Sequence, residues 1–283
     1  MPSPSRRRLT AGEQVVRDAL RRRGLRWNGE RDPTPLLVPT GAARSRHYAL
    51  LGHYSYRLFL RDVLRRPTDL RAAALTRYTT AAVAARYLRF LATARVIEPS
   101  GRGRYRLRDR RIVSFGGTLE WYVAEVLARE FGCAAATGLR VHGAPHGGDY
   151  DVVACAEGEV LYVETKSAPP RQIVQGEVGA FLDRVETLRP DCALFVADTT
   201  LRMRDKLVVL FATEVTRRRL AWGEPARFER EIWRVGPEIY LLNSDPDLVR
   251  NVGVCLAAHF RGRGAAWAST EQNRPDRPGP SSS

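Results

Sequence analysis

Lysine is nearly missing from this chain. Of its 46 basic residues only Lys166 and Lys206 are lysines, and the rest are arginine. Arginine keeps its proton inside a protein, whereas a partly buried lysine can shift its pKa and work beside a reacting water. A lysine kept in a chain that otherwise uses arginine points to a local need for an ammonium, and Lys166 stands in Val163-Glu164-Thr165-Lys166. Cysteine is scarce as well. Cys133, Cys155, Cys192 and Cys255 are 22, 37 and 63 residues apart, which matches no zinc spacing and reads as buried free thiols in a reducing cytoplasm. Long apolar runs are absent too: none approaches the roughly 18 residues of a membrane span. No apolar segment of signal-peptide type follows the basic start Met1 to Arg8. The expectations are a cytoplasmic location and no membrane partner.

What is present argues for a packed, polyanion-seeking protein. The 283 residues suit one or two domains, and 44% hydrophobic content is enough for a core. A net charge of +15 favours nucleic acid as partner. A GC-rich genome would explain arginine in place of lysine, but not the surplus of cations over 31 acids.

Residues 1–45 read as a basic N-terminal segment, with a short helix from Thr10 to Arg23 and a proline-rich linker from Gly29 to Gly41. Residues 46–111 read as a small module. A helix from about Tyr54 to Arg65 is followed by a break at Pro67-Thr68-Asp69 and a second helix from about Leu70 to Arg77. A third helix, capped by Thr79 or Thr80, runs to about Ala94. Ser100-Gly101-Arg102-Gly103 then makes a hairpin turn before the alternating Tyr105-Arg106-Leu107-Arg108. Three helices and a basic hairpin resemble a winged helix-turn-helix domain. In that family the third helix enters the DNA major groove and the wing touches backbone or minor groove. The resemblance implies that Thr79, Thr80, Arg86 and Arg89 face DNA and that Arg102, Arg104 and Arg106 line the wing; a protein-docking scaffold is the other use of such a module.

Residues 112–262 read as a second domain, and residues 263–283 as a disordered tail. Thr118 caps a helix of about Leu119 to Phe131. Strands follow near Gly138 to Val141, Tyr150 to Cys155 and Val160 to Thr165. Next come a helix of about Ile173 to Leu188, a buried strand Ala193 to Ala197 and a helix of about Leu201 to Leu220. Edge strands near Glu231 to Arg234 and Glu238 to Leu242 and a closing helix complete the pattern.

Within this order Glu120 lies in the first helix, Asp151 opens Asp151-Val152-Val153-Ala154, and Glu164-Thr165-Lys166 ends the next strand. The succession is similar to the core of the PD-(D/E)xK nuclease superfamily, which includes restriction endonucleases. The fold class that follows is α/β, a restriction-endonuclease-like αβββαβ core preceded by a mainly α winged-helix domain.

The resemblance implies a metal-dependent endonuclease hydrolysing DNA phosphodiester bonds, with Mg²⁺ as cofactor and Mn²⁺ as substitute. A hard cation binds the phosphoryl oxygen and acidifies a water. Asp151 and Glu164, on neighbouring antiparallel strands, are the first ligands; the Thr165 carbonyl is a third, with the Thr165 side chain on the other face, and Glu120 a carboxylate from the helix. Lys166 shares a strand face with Glu164 and so can hold or deprotonate the attacking water. Asp149 competes with Asp151, and Gln172 and Gln175 open the next helix beside the site. Glu164 and Lys166 also read as a plain ion pair. His142 and His146 read as loop residues. Double-strand cleavage by such an enzyme implies a homodimer. Defence against foreign DNA and DNA repair both suit this chemistry. A non-catalytic DNA-binding regulator on a degenerate nuclease fold and an RNA-directed nuclease are the alternatives.

Overall fold

The computed structural model describes residues 9–30, 35–142 and 149–272; His146 and the extreme termini lie outside the described residues. The chain is mixed α/β, built on one large sheet with helices on both faces.

The N-terminal helix α1, Ala11–Arg22, starts where Thr10 and Glu13 cap each other: the Thr10 hydroxyl accepts from Glu13 N at 3.2 Å, and the Glu13 carboxylate from Thr10 N at 2.7 Å. Strand β1, Arg26–Glu30, then pairs antiparallel with β4, Ala134–His142. The expected linker from Gly29 therefore begins inside a strand. Its far end is also held, since Leu37 is fully buried and its N–H donates to the Thr118 hydroxyl at 3.0 Å. A helix absent from the sequence reading follows, α2, Ala43–Leu51.

Helix α3, Tyr54–Arg65, forms as expected, but the next helix does not. Only a 3₁₀ turn, Ala72–Ala74, appears. Leu70 is instead drawn into a β-bridge with Tyr105, with reciprocal backbone bonds of 2.8 and 2.9 Å. A single short run of alanines cannot offset the cost of helix nucleation against two such bonds. Helix α4, Ala81–Thr93, is capped by Thr80 through Val83 N at 3.3 Å. Strands β2, Ile97–Gly101, and β3, Arg104–Leu107, make the expected hairpin.

Helix α5, Gly116–Phe131, begins before Thr118, so Thr118 sits inside the helix and is not its cap. Gly132, at φ 66°, ends it in the left-handed region that glycine tolerates. Three antiparallel strands follow: β4, then β5, Asp149–Ala156, and β6, Glu159–Lys166. After α6, Gln175–Leu188, strand β7, Cys192–Ala197, runs parallel to β6. The expected helix from Leu201 is shorter: a π-helical turn, Arg204–Val208, leads into α7, Val209–Arg217. Strands β8, Ala226–Glu229, β9, Ile232–Val235, and β10, Ile239–Asn243, finish the sheet, and α8, Leu248–Gln272, continues past position 263, where the tail was expected to start. The sheet order is β1-β4-β5-β6-β7-β10-β9-β8. The segment near Glu238 to Leu242 is thus interior, parallel to β7, and β8 takes the edge.

Alternation on the central strands builds two cores. Val152, Ala154, Leu161, Val163 and Leu194 pack with α5, α8 and the buried residues of α2 to α4 in one continuous cluster. Val153, Tyr162, Phe195 and Phe181 pack on the opposite face with α1, α6 and α7. Strands β6 and β7 are apolar on both faces, as parallel neighbours covered by helices must be. Each fully buried large side chain here, such as Phe195, stabilises the fold by about 1.5–3 kcal/mol. The sheet faces are closed, so polar side chains gather at the end where β5 begins and β6 and β7 finish.

Candidate active site

Asp151 leads into β5, and Glu164, Thr165 and Lys166 close β6 beside it. The register Val152↔Val163 places Asp151 and Glu164 at the same level. Asp151, Glu164 and Thr165 are buried, and Glu120 approaches from α5, also buried. The Asp151 Oδ2 accepts from Thr165 N at 2.8 Å and from the Thr165 hydroxyl at 3.1 Å. The Thr165 side chain therefore turns toward Asp151, contrary to the expectation that it points to the other face.

The Asp151 carboxyl is held well above the usual carboxylate range. Burial is the main cause; the negative charges of Glu164 and then Glu120 add to it, against the pull of Thr165 N–H and Lys166. Asp151 thus feels one acid from β6 and another from α5 at this point.

Lys166 lies between two carboxylates, with Nζ 3.1 Å from Glu164 Oε1 and 2.9 Å from Glu177 Oε1. Burial works to depress its pKa, but Glu164 and Glu177 outweigh it and the net shift is upward. The group is a held ammonium. It can neutralise charge and orient a water, and its upward shift favours that role over the role of base.

Glu164 is fully engaged. Its Oε2 accepts from Arg184 Nη1 at 3.1 Å and from the Tyr162 hydroxyl, while Lys166 takes Oε1. Glu177, Arg184 and Tyr162 are the site residues that motif reading missed. Their signal was positional: Tyr162 is two before Glu164 on the same strand face, and Glu177 and Arg184 are seven apart on α6, hence on one helix face. Glu177 also caps its helix, accepting from Val174 N at 3.0 Å.

Other expected residues lie elsewhere. Gln175 bridges α6 to α7, donating to Leu210 O at 3.0 Å and Glu214 Oε1 at 2.8 Å, so it does not support the site. Gln172 sits in the 3₁₀ turn Pro170–Gln172 and is exposed. Asp149 accepts from Arg140 Nε at 2.7 Å on the neighbouring strand. Arg86, Arg89, Arg102, Arg104 and Arg106 are exposed on α4 and the hairpin, with Arg106 paired to Glu98 at 2.7 Å. Thr80 serves as the helix cap, and Thr79 precedes it.

A second buried cluster adjoins the first. Asp198, directly after β7, is fully buried, and its backbone N–H donates to Lys166 O at 2.8 Å. Arg57 Nε donates to its Oδ1 at 2.9 Å, the Ser244 hydroxyl to the same oxygen at 2.7 Å, and Arg61 to Oδ2. Burial alone would raise this carboxyl, but Arg57 and Arg61 overcome it and hold it below the usual range. Beside it opens a cleft of about 730 Å³ between α3 and the segments following β6 and β7.

The acids near Asp151 are the hard oxygen donors that a divalent cation such as Mg²⁺ takes. Among the described residues, however, no three His, Cys, Asp or Glu side chains are grouped as a ready metal site. The donor types fit; Glu164 must exchange its present partners to serve as a ligand.

No known family matches the chain, and no curated protein matches it. Among solved structures, the chain is similar to protein VC1899 from Vibrio cholerae, with 16% identity and a TM-score of 0.45 over 71% of this chain and 56% of that one. It is also similar to Can2 from Sulfobacillus thermosulfidooxidans, solved in complex with cyclic tetra-adenylate, with 14% identity and a TM-score of 0.40 over 64% of this chain and 51% of that one. The chain spans about half the length of these structures. Neither likeness carries a residue role to this chain.

Proposed function

We propose that this protein is a metal-dependent phosphodiesterase acting on nucleic acid, an endonuclease of PD-(D/E)xK type whose winged-helix-like module lies beside the catalytic sheet. One observation carries the reading: Asp151, Glu164 and Lys166 lie together where β5 begins and β6 ends, with Glu120 near enough to raise the Asp151 pKa. Buried like charges at a sheet end are costly, and such sites are where function concentrates.

Asp151, Glu164 and the Thr165 carbonyl would hold the cation, with Glu120 beside them. When bound, the cation supplies Lewis-acid polarisation of a phosphoryl oxygen and acidification of a water. The chain's own groups do the rest. Lys166, fixed by Glu177, places a positive charge beside the reacting phosphate and donates hydrogen bonds to the water. Thr165 fixes the Asp151 carboxylate through two bonds. Arg184 holds Glu164 until a cation competes for it.

The lack of a preformed three-ligand group among the described residues favours a second reading, a non-catalytic DNA-binding regulator on a degenerate nuclease fold. Plasmid and single-stranded substrates incubated with Mg²⁺ or Mn²⁺ separate the two. The nuclease reading expects cleavage by wild type and none by Asp151→Ala or Lys166→Ala. Binding without cleavage in either metal supports the regulator. Equal cleavage by wild type and both variants rejects this site.

A further inference from the structure

The cleft beside Asp198 has a composition that the proposed catalytic residues do not explain. Four arginines, Arg61, Arg65, Arg77 and Arg171, line it, against a single acid, Asp198, which Arg57 and Arg61 already neutralise. Its walls also carry aromatic and apolar surface. Tyr54, Tyr78 and Phe115 face it, and Val113 and Leu201 lie on it 81% and 57% exposed. Arg61 is tied to Asp198 and Arg65 to Asp62, so Arg77 and Arg171 are the cations left to meet a ligand, and apolar side chains left in water beside them mark a recognition surface.

The cleft is joined to the catalytic end of the sheet. Ser167 and Ala168, the residues following Lys166, form part of its wall, and so do Thr199 and Thr200 after β7. It therefore opens outside the carboxyl ends of the two parallel strands β6 and β7, the place where open α/β sheets bind ligands.

We infer that this cleft binds a single-stranded polynucleotide and leads it to Asp151 and Lys166. The inference rests on the nuclease reading for the direction of travel, but not for binding. Both parts of the lining fit a single strand. Arginines take the phosphates, while tyrosines and exposed aliphatics take base faces. In a duplex the base faces are stacked and hidden, and the backbone offers nothing for Val113, Leu201 or Tyr78 to cover. The Arg77 guanidinium lies 5.1 Å from the centre of the Tyr78 ring, so cation and stacking platform are already side by side. Neither Arg86 nor Arg89 of α4, nor the hairpin arginines, line this cleft. The strand path is thus distinct from the surface that a winged-helix resemblance would nominate.

The test is fluorescence anisotropy with labelled oligothymidylate and oligouridylate, and with a duplex of equal length, all in EDTA so that nothing is cut. Wild type should bind both single strands more tightly than the duplex. The double variant Arg77→Gln with Arg171→Gln, both positions exposed, should weaken single-strand binding about tenfold and reduce the log–log salt slope by about 1.4. Tyr78→Ala should weaken it about tenfold at an unchanged slope. Arg21→Gln with Arg22→Gln, both exposed on α1, should have little effect. Circular dichroism checks that each variant is folded. Unaltered binding by the Arg77 and Arg171 variant, or equal affinity for duplex and single strand, overturns the inference. A wild type that binds as expected but never cuts with Mg²⁺ or Mn²⁺ leaves the cleft in place and removes the catalytic reading; one that cuts while ignoring the cleft variants does the reverse.

Discussion

Two buried acidic clusters stand side by side at one end of the sheet, and they are resolved in opposite ways. Asp198 is surrounded by Arg57, Arg61 and the Ser244 hydroxyl, and its pKa falls. Asp151 is surrounded by Glu164 and Glu120 as well as by Thr165 and Lys166, and its pKa rises. Both are desolvated to a similar degree, so burial does not make the difference; the sign of the neighbouring charges does. The first cluster has the form of a structural tie between α3 and the sheet. The second sets two further carboxylates against Asp151 and raises its pKa, and such local conflict belongs at functional sites.

Removing the tie should cost most. Asp198→Ala strands the Arg57 guanidinium, 1% exposed, without its carboxylate and should lower stability by about 3–5 kcal/mol, read from urea unfolding. Under the nuclease reading, Lys166 should respond chiefly in activity. Lys166→Ala should slow phosphodiester hydrolysis by about 10²–10³-fold with little change in Tm, and Lys166→Arg should not rescue it, because a planar guanidinium does not reproduce an ammonium seated between Glu164 and Glu177.

The opposite pKa shifts give opposite pH signatures. For Asp151 the folded state holds its proton above the pH at which the unfolded chain releases it, so stability declines as pH rises above the ordinary carboxylate value. Asp151→Asn removes that penalty and should stabilise the protein at neutral pH, read from urea unfolding. The gain should vanish as pH falls to the ordinary carboxylate range. Asp198 behaves in the reverse sense: its contribution is present above the unfolded pKa and is lost as pH falls through its depressed folded value. Smallest of all, Glu120→Gln should remove one of the two repelling charges and move the Asp151 titration part of the way down, as read by ¹³C NMR of the carboxyl carbon. A Glu120→Gln variant that leaves this titration in place would separate Glu120 from the site.

Much of the sheet was legible because alternating apolar runs and their turns are local signals. Strands β5 and β6 and helices α5 and α6 fall close to their expected places, and the spacing from Asp151 to Glu164-Thr165-Lys166 pointed to one hairpin. What was not legible depended on distant partners. Leu70 reads as a helix start, yet Tyr105 takes its backbone into a β-bridge. Thr118 reads as a cap, yet Leu37 uses its hydroxyl. The segment near Ile239 reads as an edge strand, since nothing local reveals that β7 lies beside it. At this end of the sheet, motif spacing picked out Asp151, Glu164 and Lys166, which the fold brings together, but not Glu177 or Arg184, because their contacts depend on how α6 lies over β6. Asp198 and Arg57, 141 residues apart in sequence, were invisible for the same reason.

The question that decides between an inert acidic cluster and a catalytic one is whether the repulsion around Asp151 is relieved by a cation. Isothermal titration of the protein with Mn²⁺ measures this directly. A metal-dependent nuclease site predicts saturable binding by wild type, abolished in Asp151→Asn and retained in Asp198→Ala if that variant is folded. No binding by wild type, or the same binding by wild type and Asp151→Asn, would contradict it.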